Sequence, residues 1–107
     1  KGGSEGNYLE SSGSSMFAYA MAKGANKGYL PLKFKAIANK AFDGLTTQLI
    51  KTDSDGQIHI TQACAVAGLG GNPYRDGSYS YYVNERKKDN DPKATGSFIL
   101  AALELNR

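Results

Sequence analysis

Gly96–Ser97–Phe98–Ile99–Leu100–Ala101–Ala102–Leu103–Glu104–Leu105 spells a helix that is apolar on nearly every face, with Thr95 or Ser97 as its cap. A helix on the surface of a domain shows a single apolar stripe, so this one is expected to be buried on several sides. A second stretch, Ser14–Ala25, reads the same way: Met16, Phe17, Ala18, Ala20, Met21 and Ala22 go most of the way round it. Serines 11, 12, 14 and 15 around Gly13 offer N-cap oxygens for a start near Ser14, and Gly24 and Gly28 offer stops. Segment 32–50 differs. Phe34, Ile37, Ala38, Ala41, Phe42, Leu45 and Leu49 fall at helical spacing, with Lys33, Lys35, Asn39, Lys40, Asp43 and Gln48 opposite them. Pro31 suits its first turn. Two fully apolar helices and one half-wet helix suggest an inner layer backed by an outer one. They also need more cover than one amphipathic helix and a hairpin supply. The isolated chain is therefore expected to expose apolar surface and to self-associate through its helix faces.

The segments between these helices are polar or glycine-rich. Residues 1–13 read as an extended entry loop. Asp55–Gly56 followed by Ile58–His59–Ile60 is a short hairpin signal. Asp53–Ser54–Asp55–Gly56 invites a calcium-loop reading, but the spacing fails. With Asp53 as first ligand, the obligatory glycine falls on Ile58 and the final glutamate on Cys64. His59 has no second histidine to share a metal and reads as a strand residue. Residues 61–77 form loop with room for one short helix, Ser78–Glu85 one or two helical turns, and Arg86–Pro92 a polar loop tip.

Composition narrows the function classes. The 107 residues suit one domain, and the 40% apolar content includes no run long enough to span a bilayer. The sequence opens on Lys1–Gly2–Gly3 without Met or an apolar leader, which reads as a piece of something longer. A net charge of +3 with lysines spread along the chain gives no nucleic-acid footprint. Cys64 is the single cysteine, so an internal disulfide and a cysteine metal cluster are excluded, and its apolar neighbours suggest a buried thiol. No cofactor or metal is expected. The lack of disulfides fits a bacterial cytoplasm and is compatible with a periplasm.

Chemistry concentrates in Pro73–Tyr74–Arg75–Asp76–Gly77–Ser78–Tyr79–Ser80–Tyr81–Tyr82, next to Gly68–Leu69–Gly70–Gly71. Tyrosine hydroxyls and a guanidinium need partners when buried, so this is poor core material. It suits a sugar site, where aromatic faces stack on C–H groups and polar tips hold hydroxyls and a carboxylate. The other reading is a tyrosine-rich helix end packed on its neighbours.

Asn7–Tyr8–Leu9–Glu10–Ser11–Ser12–Gly13–Ser14–Ser15–Met16–Phe17–Ala18–Tyr19–Ala20, Lys23–Gly24, Gly28–Tyr29–Leu30, Ala67–Gly68–Leu69–Gly70–Gly71, Pro73–Tyr74–Arg75–Asp76–Gly77–Ser78–Tyr79 with Tyr81–Tyr82, and Gly96–Ser97–Phe98–Ile99–Leu100–Ala101–Ala102–Leu103–Glu104 form a collinear set. Together they resemble the C-terminal third of the unsaturated rhamnogalacturonyl hydrolases of glycoside hydrolase family 105, which are similar to the unsaturated glucuronyl hydrolases. The resemblance implies an all-α fold, the C-terminal portion of an (α/α)₆ barrel with a small hairpin, incomplete by itself. Helices 14–25 and 96–105 would be inner and 32–50 outer, all within one domain.

It also implies an activity on pectin-derived unsaturated oligosaccharides. Such enzymes hydrate the C4=C5 bond of the unsaturated uronic acid left by a polysaccharide lyase, rather than displacing a leaving group between two carboxylates. An aspartic acid serves as general acid and then base, and the hemiketal opens by itself. That aspartate lies upstream in the family, and Asp76, Asp89 and Asp91 do not match it, so no catalytic residue is assigned here. The family's pocket lies at the N-terminal ends of the inner helices, where amides and dipole favour an anion. Glu10, Ser11, Ser12, Ser14 and Lys93 fall there, and Tyr74, Arg75, Asp76 and Tyr79 complete the substrate-binding candidates. Ser14 and Ser97 read first as plain caps. Arg75 reaches the uronate or pairs with Asp76 or Glu10, Tyr74 and Tyr79 stack on sugar or on helix ends, and Lys93 is otherwise a solvated loop charge. The alternative function is a non-catalytic carbohydrate-binding or scaffold module using the same loop.

Overall fold

The computed structural model describes residues 2–107, and the expected loop position of Lys1 lies outside them. Helix α1 runs Ser11–Asn26, three residues earlier than the serine pattern suggests. Glu10 moves the start: its own carboxylate caps the helix from the N-terminal side. α1 passes through Gly24 and turns at Gly28, which takes φ +76 while Tyr29 and Leu30 both donate back to the Gly24 carbonyl. Gly24 is kept small by that turn, because a Cβ there would meet Leu30 Cδ1 at 2.7 Å.

Pro31 opens the turn into α2, Lys33–Gln48, with Phe34 N–H donating to its carbonyl. The hairpin follows as expected, β1 Ile50–Thr52 against β2 Ile58–Ile60, antiparallel with Ile50 opposite Ile60 and Lys51 opposite His59. A second ladder was not expected. β3, Ala63–Cys64, pairs with β4, Lys87–Lys88, enclosing the short helix α3, Tyr79–Asn84. These short strands qualify the all-α expectation: the chain is helix-rich with two small ladders.

α4 runs Pro92–Leu105, a turn earlier than expected. Asp91 caps it and Pro92 takes the first helical position, so the end of the expected 86–92 loop belongs to the helix. Neither Thr95 nor Ser97 is the cap. The Ser97 hydroxyl instead donates back to the Lys93 carbonyl at 2.6 Å.

The directions of the helices follow from their ties. Asn26, ending α1, donates to the carbonyl and carboxylate of Glu104, near the end of α4. Lys35, starting α2, reaches Asn26 Oδ1 and the Arg107 carbonyl. So α1 and α4 lie side by side and parallel, with α2 antiparallel across them. Small residues are what both helices bury. Ser11, Ser15, Ala18, Ala22 and Ala25 are buried on α1, and Ala94, Ser97, Ala101 and Glu104 on α4. α2 buries Ala38 and Leu45 and stacks Phe42 on Phe98 of α4 with centroids 4.8 Å apart.

The expectation that α1 and α4 are buried on several sides is not met within this chain. Each buries one small-residue stripe, while Phe17 is 71% exposed and Leu103 60% exposed. That exposure is what the shortage of covering surface implies. Because Ala22 is fully enclosed, Ala22→Leu has no room and is expected to cost about 1–3 kcal/mol, read as a lower urea midpoint at unchanged slope.

Candidate functional site

Because α1 and α4 are parallel, their N-termini share one end of the molecule, and the loops gather there. Ser11 N–H donates to the Gln62 carbonyl, Cys64 N–H to Glu10 Oε1, and Lys93 Nζ to the Ala65 carbonyl. The tyrosine-rich stretch is tied to the same end. Ala65 N–H donates to the Arg86 carbonyl, Tyr79 hydroxyl to the Glu5 carbonyl, and Tyr82 stacks on Tyr8 at 5.7 Å.

Glu10 is fully engaged. Oε1 accepts from Ser12 N–H, Ser12 Oγ and Cys64 N–H, at 3.2, 2.7 and 2.8 Å, and Oε2 accepts from Gly13 N–H at 2.7 Å. Burial pushes this carboxyl up, but the Gly13, Ser12 and Cys64 donors outweigh it and hold the group below its ordinary value. With Ser11 N–H on Gln62 and Ser14 N–H on the Glu10 carbonyl, the four amides that open α1 all have partners. The anion at this helix end is the protein's own. α4 follows the same plan: Asp91 Oδ1 accepts from Lys93 N–H at 2.9 Å and from Lys93 Nζ at 2.7 Å. Lys93 first, and burial against it, leave the Asp91 carboxyl below its ordinary value.

The candidates therefore divide. Glu10, Ser11 and Ser12 lie within the frame, Ser11 wholly enclosed with a hydroxyl that meets no partner among the described residues. Ser14 is not a cap but lines a small apolar hollow with Leu9, Ala41, Leu45 and Leu49. Lys93 stands in the first turn of α4 rather than in a loop, paired yet still half exposed.

The loop carrying Tyr74, Arg75 and Asp76 is a built structure. Gly70 and Arg75 exchange both backbone hydrogen bonds, at 2.8 and 3.0 Å, around a tip containing a cis Asn72–Pro73 bond. The Arg75 guanidinium lies over Gly68, where a Cβ would stand 3.0 Å from it, and Gly68 N–H donates to the Tyr81 hydroxyl. Arg75 pairs with neither Asp76 nor Glu10 among the described residues. Asp76 is a turn residue, held below its ordinary value first by the Ser78 amide that it accepts at 2.9 Å. Tyr74 projects from the tip, 79% exposed.

Sequence reasoning missed the group around Tyr8. Lys87 Nζ sits 4.2 Å from the Tyr8 ring centroid, on β4 beside Cys64 of β3. Burial, reinforced by the adjacent Tyr82 and Cys64 side chains, pushes the Tyr8 phenol well above its ordinary value. Nothing local in the sequence joins residues 8, 64, 82 and 87; the β3–β4 ladder pairs Cys64 with Lys87, and the Tyr8 ring meets Lys87 and Tyr82. Among the described residues no set of His, Cys, Asp and Glu side chains is arranged to hold a metal, and no helix is long and apolar enough to cross a membrane.

The arrangement offers an aromatic, cationic and hydroxyl-bearing surface. The chain is similar to a solved glycoside hydrolase of family 105 from C. acetobutylicum, with 47% identity and a TM-score of 0.94, covering 99% of this chain and 29% of that one. It is 36% identical over 108 residues to a protein of Agrobacterium fabrum and to the 24.9 kDa protein of the picA locus of Rhizobium radiobacter. Each match takes in 95% of this chain, which spans 46% of the length of those relatives. The profile of Glycosyl Hydrolase Family 88 matches residues 1–107 from end to end, and the chain belongs to that family.

Proposed function

We propose that residues 1–107 are the C-terminal part of a single (α/α)₆-barrel domain. The whole protein would hydrate the C4=C5 bond of unsaturated uronic acids at the ends of lyase-cut pectin fragments. The observation that carries this reading is the close match in fold and sequence together to a family 105 hydrolase. The parallel α1–α4 pair backed by an antiparallel α2 suits two inner helices and one outer helix of such a barrel. On this reading Tyr74 and Tyr79 present rings to the sugar, and Arg75 and Lys93 supply positive charge for its carboxylate. Asp76 offers acceptor oxygens to sugar hydroxyls. Glu10, Ser11, Ser12 and Ser14 shape the wall that holds them. The aspartic acid that gives and then takes the proton comes from elsewhere in the barrel, so the 107 residues alone do not turn over substrate.

The test is the ultraviolet absorbance of the conjugated C4=C5–carboxylate in an unsaturated rhamnogalacturonan disaccharide. A longer chain containing this segment is expected to bleach it, and the 107-residue chain to leave it unchanged. Tyr74→Ala in the longer chain is expected to raise KM about five- to tenfold, as the loss of one stacked ring would. A longer chain that leaves the unsaturated sugar intact while cleaving saturated glycosides would sink the proposal.

A further inference from the structure

We infer that His59 is a protonation-sensitive latch joining the β1–β2 hairpin to the start of α4. The hydrogen-bond chain through it admits one arrangement of protons. Ile60 N–H donates to Asn90 at 3.0 Å, and an N–H must meet an acceptor, so that atom is the amide oxygen. The other end of the same amide is then the NH₂ group, 2.9 Å from His59 Nδ1. An NH₂ group only donates, so Nδ1 carries the lone pair. The ring proton therefore sits on Nε2, 2.7 Å from Asp53 Oδ2. Asn90 is held in the left-handed region at φ +55, and its own N–H donates to the Ile60 carbonyl at 2.8 Å. The next residue is Asp91, the cap of α4. One neutral imidazole thus ties the hairpin both to itself, through Asp53, and to the entrance of α4, through Asn90.

A second proton changes that division. It enters at Nδ1, where it faces the Asn90 NH₂ donor to donor. The contact with Asp53 becomes an ion pair and strengthens. The contact with Asn90 is lost, or the amide turns over and presents its NH₂ to the Ile60 N–H. Either way one of the two bonds from the Asn90 side chain to the hairpin breaks. The charges around the ring are of both signs. Lys51, opposite His59 in the ladder, opposes the proton, while Asp53 and Asp55 in the turn and Asp89 and Asp91 beside Asn90 favour it. Asp53 is held below its ordinary value by its hydrogen bonds with His59 and the Gln57 amide, and Asp91 is matched by Lys93.

Long-range ¹H–¹⁵N spectra of the labelled chain report the tautomer, and amide exchange at Ile60 and Asn90 reports the latch. The expected result for the neutral ring is the Nε2–H form. As His59 protonates, protection at Ile60 and Asn90 should fall about tenfold relative to the α1 amides. In Asp53→Asn the same step should move to lower pH, because the carboxylate that favours the second proton is gone. An Nδ1–H tautomer, an Ile60 amide indifferent to the titration, or a step that stays in place in Asp53→Asn would each overturn the inference.

Discussion

Glu10→Ala is expected to destabilise the chain by about 2–3 kcal/mol, far more than a half-buried polar side chain at a loop–helix junction ordinarily costs. Two effects add. The helix loses its N-cap, because the amides of Ser12 and Gly13 lose the carboxylate that accepts them. The Cys64 amide, donated from β3 across 2.8 Å, loses its acceptor as well, and the ladder's anchor to α1 goes with it. Glu10→Gln keeps the volume and one oxygen but turns an NH₂ toward the remaining donors, so it is expected to recover little. Denaturant midpoints at constant slope measure both variants. The pH dependence has a definite sign. The folded-state pKa of Glu10 lies below its ordinary value of 4.5, so its stabilisation is present above about 4.5 and is lost as pH falls through the lower folded value. The gap between wild type and Glu10→Gln should therefore close in acid. A gap that stayed constant down to strong acid would show that the cap acts by shape rather than by charge.

This residue also shows where sequence reading stops. Capping rules favour Ser, Thr, Asp and Asn, and with four serines within reach they set the start of α1 too late and pass over Glu10 as its cap. Its reach to Cys64 crosses 54 residues, and no local pattern encodes that. At α4 the signal was present but double-valued: Asp91–Pro92 opens a turn as readily as it caps a helix. The amphipathic α2 and the Asp55–Gly56 hairpin were legible because their information is periodic or local. The β3–β4 ladder was not, since two-residue strands joined through a loop and a short helix leave no period to count. For the site, Pro73–Tyr82 announced itself by composition. Its partners, Tyr8 and Lys87, became neighbours only through the fold.

The purified 107-residue chain is expected to self-associate at micromolar concentration and to bind a hydrophobic dye. Paired substitution of Phe17→Glu and Leu103→Lys is expected to weaken that association at least tenfold. α1 and α4 leave large apolar side chains uncovered. Their seam consumes alanines and serines, while Met16 and Phe17 on α1 and Ile99, Leu100 and Leu103 on α4 keep 45% or more of their surface in water. Burying a side chain of this size is worth about 1.5–3 kcal/mol, so a handful approaches the roughly 8 kcal/mol of a micromolar complex even after the cost of association. Because neither substituted side chain packs inside the chain, folding stability should change by no more than about 0.5 kcal/mol. Loss of association with loss of fold would mean that these residues hold this chain together, contrary to their exposure. Sedimentation and dye fluorescence separate the two functional readings. An associating, dye-binding chain is what a portion of a larger helical barrel must be, because its inner helices lack their neighbours. A dye-silent monomer would mean that the small-residue seam suffices by itself. The exposed Tyr74 loop would then belong to a free-standing sugar-binding module rather than to the wall of a hydrolase.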